Sequence, residues 1–263
     1  MCRWIAYRGH PVLIEDVVVK PGHSLIDQSL HAHEGKTETN GDGFGVGWYG
    51  ERATPGLYRE IRPAWSDENL KSICAQVRSH LFFAHVRAAT GTASTRANCH
   101  PYTHGAWMFM HNGQIGSYAR LRRAIENLIP DEFYHGRQGS TDSEAIFLAA
   151  LARMEGEDPV AAIASVLADV KALMKTAAVP EALRFTSALT NGRDLYAFRW
   201  ACDGKAPSLY WRKDGTDNLC VVSEPYDETP GCWTPIPQGS ALVAREGRAV
   251  EIIPMAVLAR LAA

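Results

Sequence analysis

The spacing of short apolar segments constrains the fold of this 263-residue chain more than any other feature. Ten segments of four to seven residues alternate apolar and polar side chains between Gly, Pro, Asn or Asp residues, a pattern typical of β-strands. They span Cys2–Tyr7, Gly43–Tyr49, Leu81–Val86, Ala106–His111, Thr186–Thr190, Leu195–Trp200, Ser208–Trp211, Leu219–Ser223, Ala241–Ala244 and Val250–Ile253. The Asn191-Gly192 turn predicts a hairpin between two of them.

Helical patterns occupy the middle of the sequence. Apolar residues recur at helical spacing in Ser117–Leu128, and Thr141–Glu144 has the pattern of a capping box before the apolar run Ala145–Met154. Asp158 followed by Pro159 predicts the start of a third helix. Strands, then helices, then strands again predict an α+β fold of packed layers with mostly antiparallel sheets. Because linkers and repeats are absent, we expect a single domain over residues 1–263.

Charge and composition exclude several classes of protein. Lys and Arg total 27 against 29 Asp and Glu, and no basic block is present, so we expect no nucleic acid partner. Apolar runs such as Leu81–Val86 are too short to cross a bilayer. The start of the chain lacks the features of a secretory signal, which favours a cytoplasmic location. The six cysteines include no C-x-x-C pair, so free thiols are expected.

Cys2 is the first candidate for chemistry. After a small second residue the initiator methionine is commonly removed, and Cys2 would then carry a free α-amine. That amine has an ordinary pKa of about 7.7–8.0 and a thiol one of about 8.5. One residue could therefore supply both nucleophile and base. A buried, inert cysteine at the start of a strand is the alternative reading.

Two further segments end strands with polar residues. Arg87 could hold a carboxylate with help from the Thr90 hydroxyl, although a surface ion pair would explain it equally well. Asn112 and Gly113 form a turn sequence and are also the donor pair that an oxyanion hole requires. Asp142 lies in the first turn of a predicted helix, where it could receive a substrate ammonium or only stabilise the helix.

Together these segments resemble the class II glutamine amidotransferases, which are N-terminal-nucleophile hydrolases, over most of the chain. The likeness to the stand-alone branch of that family rests on Met1-Cys2-Arg3-Trp4-Ile5-Ala6-Tyr7, His23-Ser24-Leu25, Asn40–Trp48 and Asn98-Cys99-His100-Pro101. The resemblance implies a four-layer αββα sandwich with two mostly antiparallel sheets and Cys2 in the cleft between them.

The same resemblance implies a role for each candidate residue. Cys2 is expected to be the nucleophile, and Asn112 and Gly113 the oxyanion hole. Arg87 with Thr90 would hold the substrate α-carboxylate, and Asp142 the α-ammonium. The implied activity is cleavage of the γ-glutamyl amide of glutamine or a γ-glutamyl compound through a thioester, with no cofactor.

Other readings remain open from sequence alone. The chain could be a glutaminase subunit that supplies ammonia to a separate synthase or amine-acceptor protein, or a non-catalytic binding subunit. A metal enzyme has little support. The histidines His31 and His33, and His100, His104 and His111, come without a partnering acid–histidine motif, and Pro101 disfavours the helix that would place His100 and His104 on one face. No metal ligand set is therefore expected. Cys99 and His100 are adjacent, and on an extended chain they cannot act as a nucleophile–base pair. The loops 23–41 and 132–139 are expected to shape substrate selectivity.

Overall fold

The structure, a computed structural model, describes residues 2–34, 38–89, 91–227, 229 and 231–257. Its helices are α1 (Glu15–Val18), α2 (Leu25–Leu30), α3 (Glu68–Gln76), α4 (Tyr118–Glu126), α5 (Asp131–Tyr134), α6 (Asp142–Met154) and α7 (Pro159–Thr176). Its strands are β1 (Arg3–Leu13), β2 (Phe44–Trp48), β3 (Gly56–Glu60), β4 (Arg78–Val86), β5 (Tyr102–His104), β6 (Trp107–Gln114), β7 (Arg184–Thr190), β8 (Leu195–Ala201), β9 (Tyr210–Lys213), β10 (Leu219–Val222), β11 (Thr234–Pro235), β12 (Ser240–Ala244) and β13 (Glu251–Pro254).

The strands form two sheets that are antiparallel throughout the described residues. One sheet has the order β11-β9-β10-β1-β4-β2-β3, and the other has the order β13-β12-β8-β7-β6-β5. The predicted hairpin is the β7–β8 connection, in which Thr190 pairs with Leu195. These pairings confirm the prediction of mostly antiparallel sheets. β1 lies in the middle of the first sheet, and β6 lies next to the edge strand β5 of the second.

Three apolar cores show how the layers stack. Residues from both sheets, such as Trp4, Phe83 and Met110, form the core between the sheets. The opposite face of the first sheet packs against α1–α3, and the opposite face of the second sheet packs against α4–α7. The order helix, sheet, sheet, helix is the αββα sandwich that was predicted.

The alternation of side chains along β1 separates two chemically important residues. Trp4 faces the core between the sheets, whereas Ile5 faces the helices of the first sheet. Successive side chains of a strand point to opposite faces. Cys2 therefore lies on the side of the cleft, and Arg3 is directed into the helical layer, where it bonds the carbonyl oxygens of Ser223 and Glu34.

The sequence pattern missed several short helices and strands. Helices α1, α2 and α3 precede the region where helices were expected, and β3, β5 and β11 were not predicted. In α3 the buried residues are Leu70 and Cys74, which is too few for a clear helical period. Among the helices of the described residues, none combines the length and the apolar character needed to cross a membrane.

Candidate active site

A cavity of about 190 Å³ opens where the two sheets meet at the start of β1. Five of the six predicted site residues line it, namely Cys2, Arg87, Asn112, Gly113 and Asp142. They come from the start of β1, the loop after β4, the end of β6 and the first turn of α6. Thr90, the sixth, lies outside the described residues.

The Cys2 thiol lies at the wall of this cavity against Ala88. The amide of Ala88 donates to Sγ at 3.4 Å, and Sγ donates to the carbonyl of Ala88 at 3.6 Å. Burial raises the pKa of the Cys2 thiol, and the Ala88 amide with the guanidinium groups of Arg87 and Arg3 opposes the rise only in part. Because the thiol is held neutral, attack by this sulfur requires a base.

Arg87 is a buried cation without an acidic partner among the described residues. Its side chain is 3% exposed and donates to the carbonyl of Asp42, to Thr92 Oγ1 at 2.7 Å and to the carbonyls of Thr92 and Ala93. All of these acceptors are neutral. A buried guanidinium with neutral acceptors is suited to an anionic ligand, since burying an unpaired charge is costly.

Two residues that sequence reasoning missed hold this arginine in place. Thr92, which was not predicted, bonds Arg87 through its hydroxyl and lines the cavity. Asp42 braces the same loop, because its carboxylate accepts from the amide of Ala89 at 2.7 Å. Gly43, with φ +114°, follows Asp42, and a Cβ there would lie 2.6 Å from Cys99 Sγ. The Asn40–Trp48 segment of the resemblance therefore supports the loop that carries Arg87.

Asn112 and Gly113 lie beside the Cys2 backbone at the end of β6. The Asn112 side-chain amide donates to the carbonyl of Cys2 at 2.9 Å. Gly113 has φ +153°, and a Cβ there would stand 2.0 Å from the carbonyl of Arg184. Only glycine fits that position, so the backbone can pass close to β7 and keep its amide next to the cavity.

Asp142 is the first residue of α6, where the helix dipole favours a negative charge. One oxygen accepts from the amide of Ile115 at 2.9 Å and the other from the amide of Ser143 at 2.9 Å. The predicted cap is present, because Thr141 Oγ1 accepts from the amide of Glu144. The Glu144 carboxylate departs from a capping box and instead accepts from the amides of Gln138 and Gly139. Asp142 is thus an anchored carboxylate facing the cavity.

Three buried histidines surround the candidate nucleophile. His100 and His111 line the cavity, and His85 stacks on His100 with ring centroids 4.3 Å apart. Burial lowers the pKa of His85 to about 3 and lowers the pKa values of His100 and His111 as well. These rings are neutral at physiological pH. Within the described residues, the hydrogen-bond partners of Cys2 Sγ are atoms of Ala88 and not ring nitrogens.

Other expectations about the site need correction or completion. Cys99 Sγ points to the carbonyls of Glu60 and Thr95, away from the cavity, so Cys99 and His100 do not act as a pair. Among the described residues, loops 23–41 and 132–139 contribute nothing to the cavity. Its wall also includes Gln114 at the end of β6, Ser143 in α6 and Arg184 at the start of β7.

The fold and this site define a class of enzymes. A family model of class II glutamine amidotransferases matches residues 16–206, and the chain belongs to that family. It is 32% identical to the probable glutamine amidotransferase DUG3 of Saccharomyces cerevisiae, over 94% of this chain and 82% of that protein. It is 31% identical to the gamma-glutamyl-hercynylcysteine sulfoxide hydrolase of Mycolicibacterium smegmatis, over 95% of this chain and 98% of that protein.

A solved structure shows the same fold. The glutamine aminotransferase class-II domain protein from Silicibacter pomeroyi superposes with a TM-score of 0.76 at 37% sequence identity. The match covers 97% of this chain and 100% of that chain. The N-terminal-nucleophile hydrolase fold and the enzyme family expected from sequence are thereby confirmed.

Proposed function

We propose that residues 1–263 form a single-domain, cytoplasmic amidohydrolase whose N-terminal cysteine cleaves a γ-glutamyl amide bond and releases glutamate. The observation that carries the proposal is the cavity that Cys2 shares with Arg87, a buried guanidinium without an acidic partner among the described residues, and with Asp142, an anchored carboxylate. A cation and an anion in the same cavity as a nucleophile match the α-carboxylate and α-ammonium of a free amino-acid head group. The names of two relatives, a probable glutamine amidotransferase and a gamma-glutamyl-hercynylcysteine sulfoxide hydrolase, describe reactions at the same kind of bond.

The first chemical step forms a thioester. Removal of Met1 would leave Cys2 with a free α-amine, which takes the thiol proton directly or through a water molecule. Sulfur then attacks the γ-carbonyl carbon, a C–S bond forms, and the carbonyl electrons move to oxygen. When the tetrahedral intermediate collapses, the C–N bond breaks and the proton passes from the α-ammonium to the leaving amine.

The second step restores the enzyme. The α-amine accepts a proton from water as the hydroxide attacks the thioester carbonyl. The C–S bond then breaks, the sulfur takes the proton back from the α-ammonium, and the new γ-carboxylic acid gives up its proton to solvent. Glutamate leaves with its α-carboxylate released from Arg87 and its α-ammonium from Asp142. The neutral histidines around the cavity leave the α-amine as the group of suitable ordinary pKa for both proton transfers.

Asn112 is expected to stabilise the oxyanion together with the Gly113 amide. Replacing Asn112 by alanine removes one donor, so kcat should fall about 10²–10³-fold while KM changes little. Steady-state kinetics of Asn112→Ala measure this effect, and Gln114→Ala, also in the cavity wall, is the matched control. A rise in KM with unchanged kcat would assign Asn112 to ground-state binding instead.

The substrate class is tested by glutamate release. Glutamine, glutathione and other γ-glutamyl amides are offered to protein whose intact mass shows loss of Met1. We expect cleavage of at least one γ-glutamyl compound, and a loss of at least about 100-fold in kcat/KM when its α-amine is acetylated or its α-carboxylate is amidated. Equal rates on blocked and free substrates would contradict the roles of Arg87 and Asp142.

The preferred leaving group separates the remaining alternatives. Preference for a γ-glutamyl peptide or thiol compound over glutamine supports a free-standing hydrolase. Cleavage of glutamine alone, with release of ammonia, supports a glutaminase subunit with a separate synthase partner. If none of these compounds is cleaved by folded protein that has lost Met1, the result supports a binding subunit.

A further inference from the structure

Three sequence segments that the catalytic cavity does not use converge in the helical layer of the first sheet. His23, which begins the His23-Ser24-Leu25 segment, meets His33 and Glu224, and their nitrogen and oxygen ligand atoms all lie within 4.8 Å of one another. Arg3, the residue after the nucleophile, contacts the same carboxylate at 3.5 Å. We propose that His23, His33 and Glu224 bind a divalent transition metal ion such as Zn²⁺; we name these three residues the His-His-Glu cluster.

The contacts of the two His23 ring nitrogens require a cation, either a proton or a metal ion, between Nε2 and the Glu224 carboxylate. Its Nδ1 lies 2.9 Å from Asp27 Oδ2, and its Nε2 lies 2.6 Å from Glu224 Oε1. If Asp27 accepts the ring proton at Nδ1, the lone pair of Nε2 faces a carboxylate oxygen, which is also an acceptor. Either a second proton or a metal ion must lie between them. A carboxylate that orients a histidine for a metal through its other nitrogen is the usual support for such ligands.

His33 supplies the third ligand and the route of entry. Its ring stacks on that of His23 with centroids 4.2 Å apart and an interplanar angle of 9°, and its Nδ1 lies 4.0 Å from Glu224 Oε1. Ligand atoms about 2.0–2.2 Å from a tetrahedral zinc ion are about 3.4 Å apart. The observed separations lie on both sides of that value, so small side-chain rotations suffice. The His33 side chain is 70% exposed, which leaves an open side for water.

The charge around the cluster also favours a divalent cation. Two carboxylates contact the cluster or belong to it, since Asp27 contacts His23 and Glu224 is a ligand, whereas one guanidinium, that of Arg3, contacts Glu224. With neutral imidazoles these groups carry one uncompensated negative charge. The Glu224 carboxylate also accepts from the amides of His33 and Glu34 at 2.9 and 3.0 Å. These two amides fix the carboxylate with its oxygens toward the histidines, as a ligand of a metal ion would be.

The structure explains why the sequence alone predicted no metal site. His33 was considered as a ligand together with His31, but His31 pairs with Glu38 at 3.2 Å, outside the cluster. The true neighbours of His33 are distant in sequence. His31 nevertheless provides a matched control, since it is an exposed histidine two residues away on the same segment.

Zinc binding by the full chain tests the proposal. Protein freed of metal by dialysis against a chelator is titrated with Zn²⁺ in competition with a chromophoric chelator. We expect one equivalent per chain in the wild type, affinity at least about tenfold weaker in His33→Ala, and unchanged affinity in His31→Ala and in Cys2→Ala. Since Cys2→Ala is expected to lack turnover, the metal result does not depend on the catalytic proposal.

Two outcomes would overturn the assignment. If the wild type shows no binding in this competition, the cation between His23 and Glu224 is a proton, and the cluster is an ion pair. If binding occurs equally in the wild type and His33→Ala, the ligands lie elsewhere. Cobalt(II) in place of zinc identifies them: a thiolate-to-cobalt charge-transfer band would assign the ion to cysteine, whereas its absence supports nitrogen and oxygen ligands.

Discussion

Cys2→Ala is expected to abolish glutamate release, with a fall in kcat of at least about 10⁴-fold against the best γ-glutamyl substrate. The substitution removes the sulfur that forms the thioester, while the α-amine, the Arg87 site and the oxyanion donors stay in place. Alanine fits the position, because the hydrogen bonds of Sγ among the described residues are to the backbone of Ala88 alone. Substrate binding and the melting temperature should therefore be retained, and calorimetry and thermal unfolding measure both.

The chain offers a matched control for this substitution. Cys202 is an exposed free cysteine far along the sequence, on the turn after β8, so Cys202→Ala should keep full activity. Wild-type protein that retains Met1 should be as inactive as Cys2→Ala, because the nitrogen of Cys2 is then a peptide amide and cannot act as a base. Turnover by Cys2→Ala within tenfold of the wild type would refute the nucleophile assignment.

The sequence predicted the strands better than it predicted the loops, for physical reasons. Each of the ten predicted strands corresponds to a strand of the structure, because each is a short apolar run, bounded by turn residues, that packs between apolar cores on the two faces of its sheet. The described part of the loop after β4 is neither helix nor strand, so its sequence shows no regular spacing of apolar residues. Thr90 was predicted to help Arg87 hold the substrate carboxylate and lies outside the described residues, whereas Thr92, which was not predicted, bonds Arg87 directly.

No local sequence pattern predicts which distant segments of the chain come together in the folded protein. The resemblance assigned roles to Cys2, Arg87, Asn112 and Asp142, and the structure brings these residues to one cavity. Glu224, by contrast, follows β10 and meets His23 across 201 positions of sequence. Such a contact depends on the pairing of β1 with β10, and neither segment alone carries a signal of it.

The buried histidines predict that the protein loses stability in mild acid. Burial lowers the pKa of His85 to about 3 and that of His100 well below its usual value, whereas both have a pKa of about 6.5 in the unfolded chain. Below pH 6.5 the unfolded state therefore binds protons that the folded state excludes. The stabilisation is fully present above pH 6.5 and is lost progressively as the pH falls toward 3.

The expected loss is large enough to measure at one pH. At pH 5.5 each of these two histidines lowers the free energy of unfolding by about 1.4 kcal/mol relative to its high-pH value, or about 3 kcal/mol together. Urea unfolding at pH 7.5 and pH 5.5 gives the difference directly.

One substitution assigns the effect to a particular ring. His85→Leu replaces the imidazole with an apolar side chain of similar size in the core between the sheets, so the loss between the two pH values should shrink by about 1.4 kcal/mol. His80→Gln changes a half-buried histidine on the same strand, whose Nε2 lies 3.1 Å from the carbonyl of Gly192, and should leave the full loss. If His85→Leu loses as much stability as the wild type, His85 is not the group that excludes the proton. The acid sensitivity would then have to come from His100, His111 or carboxylates, because burial also lowers the pKa values of those two histidines in the folded protein.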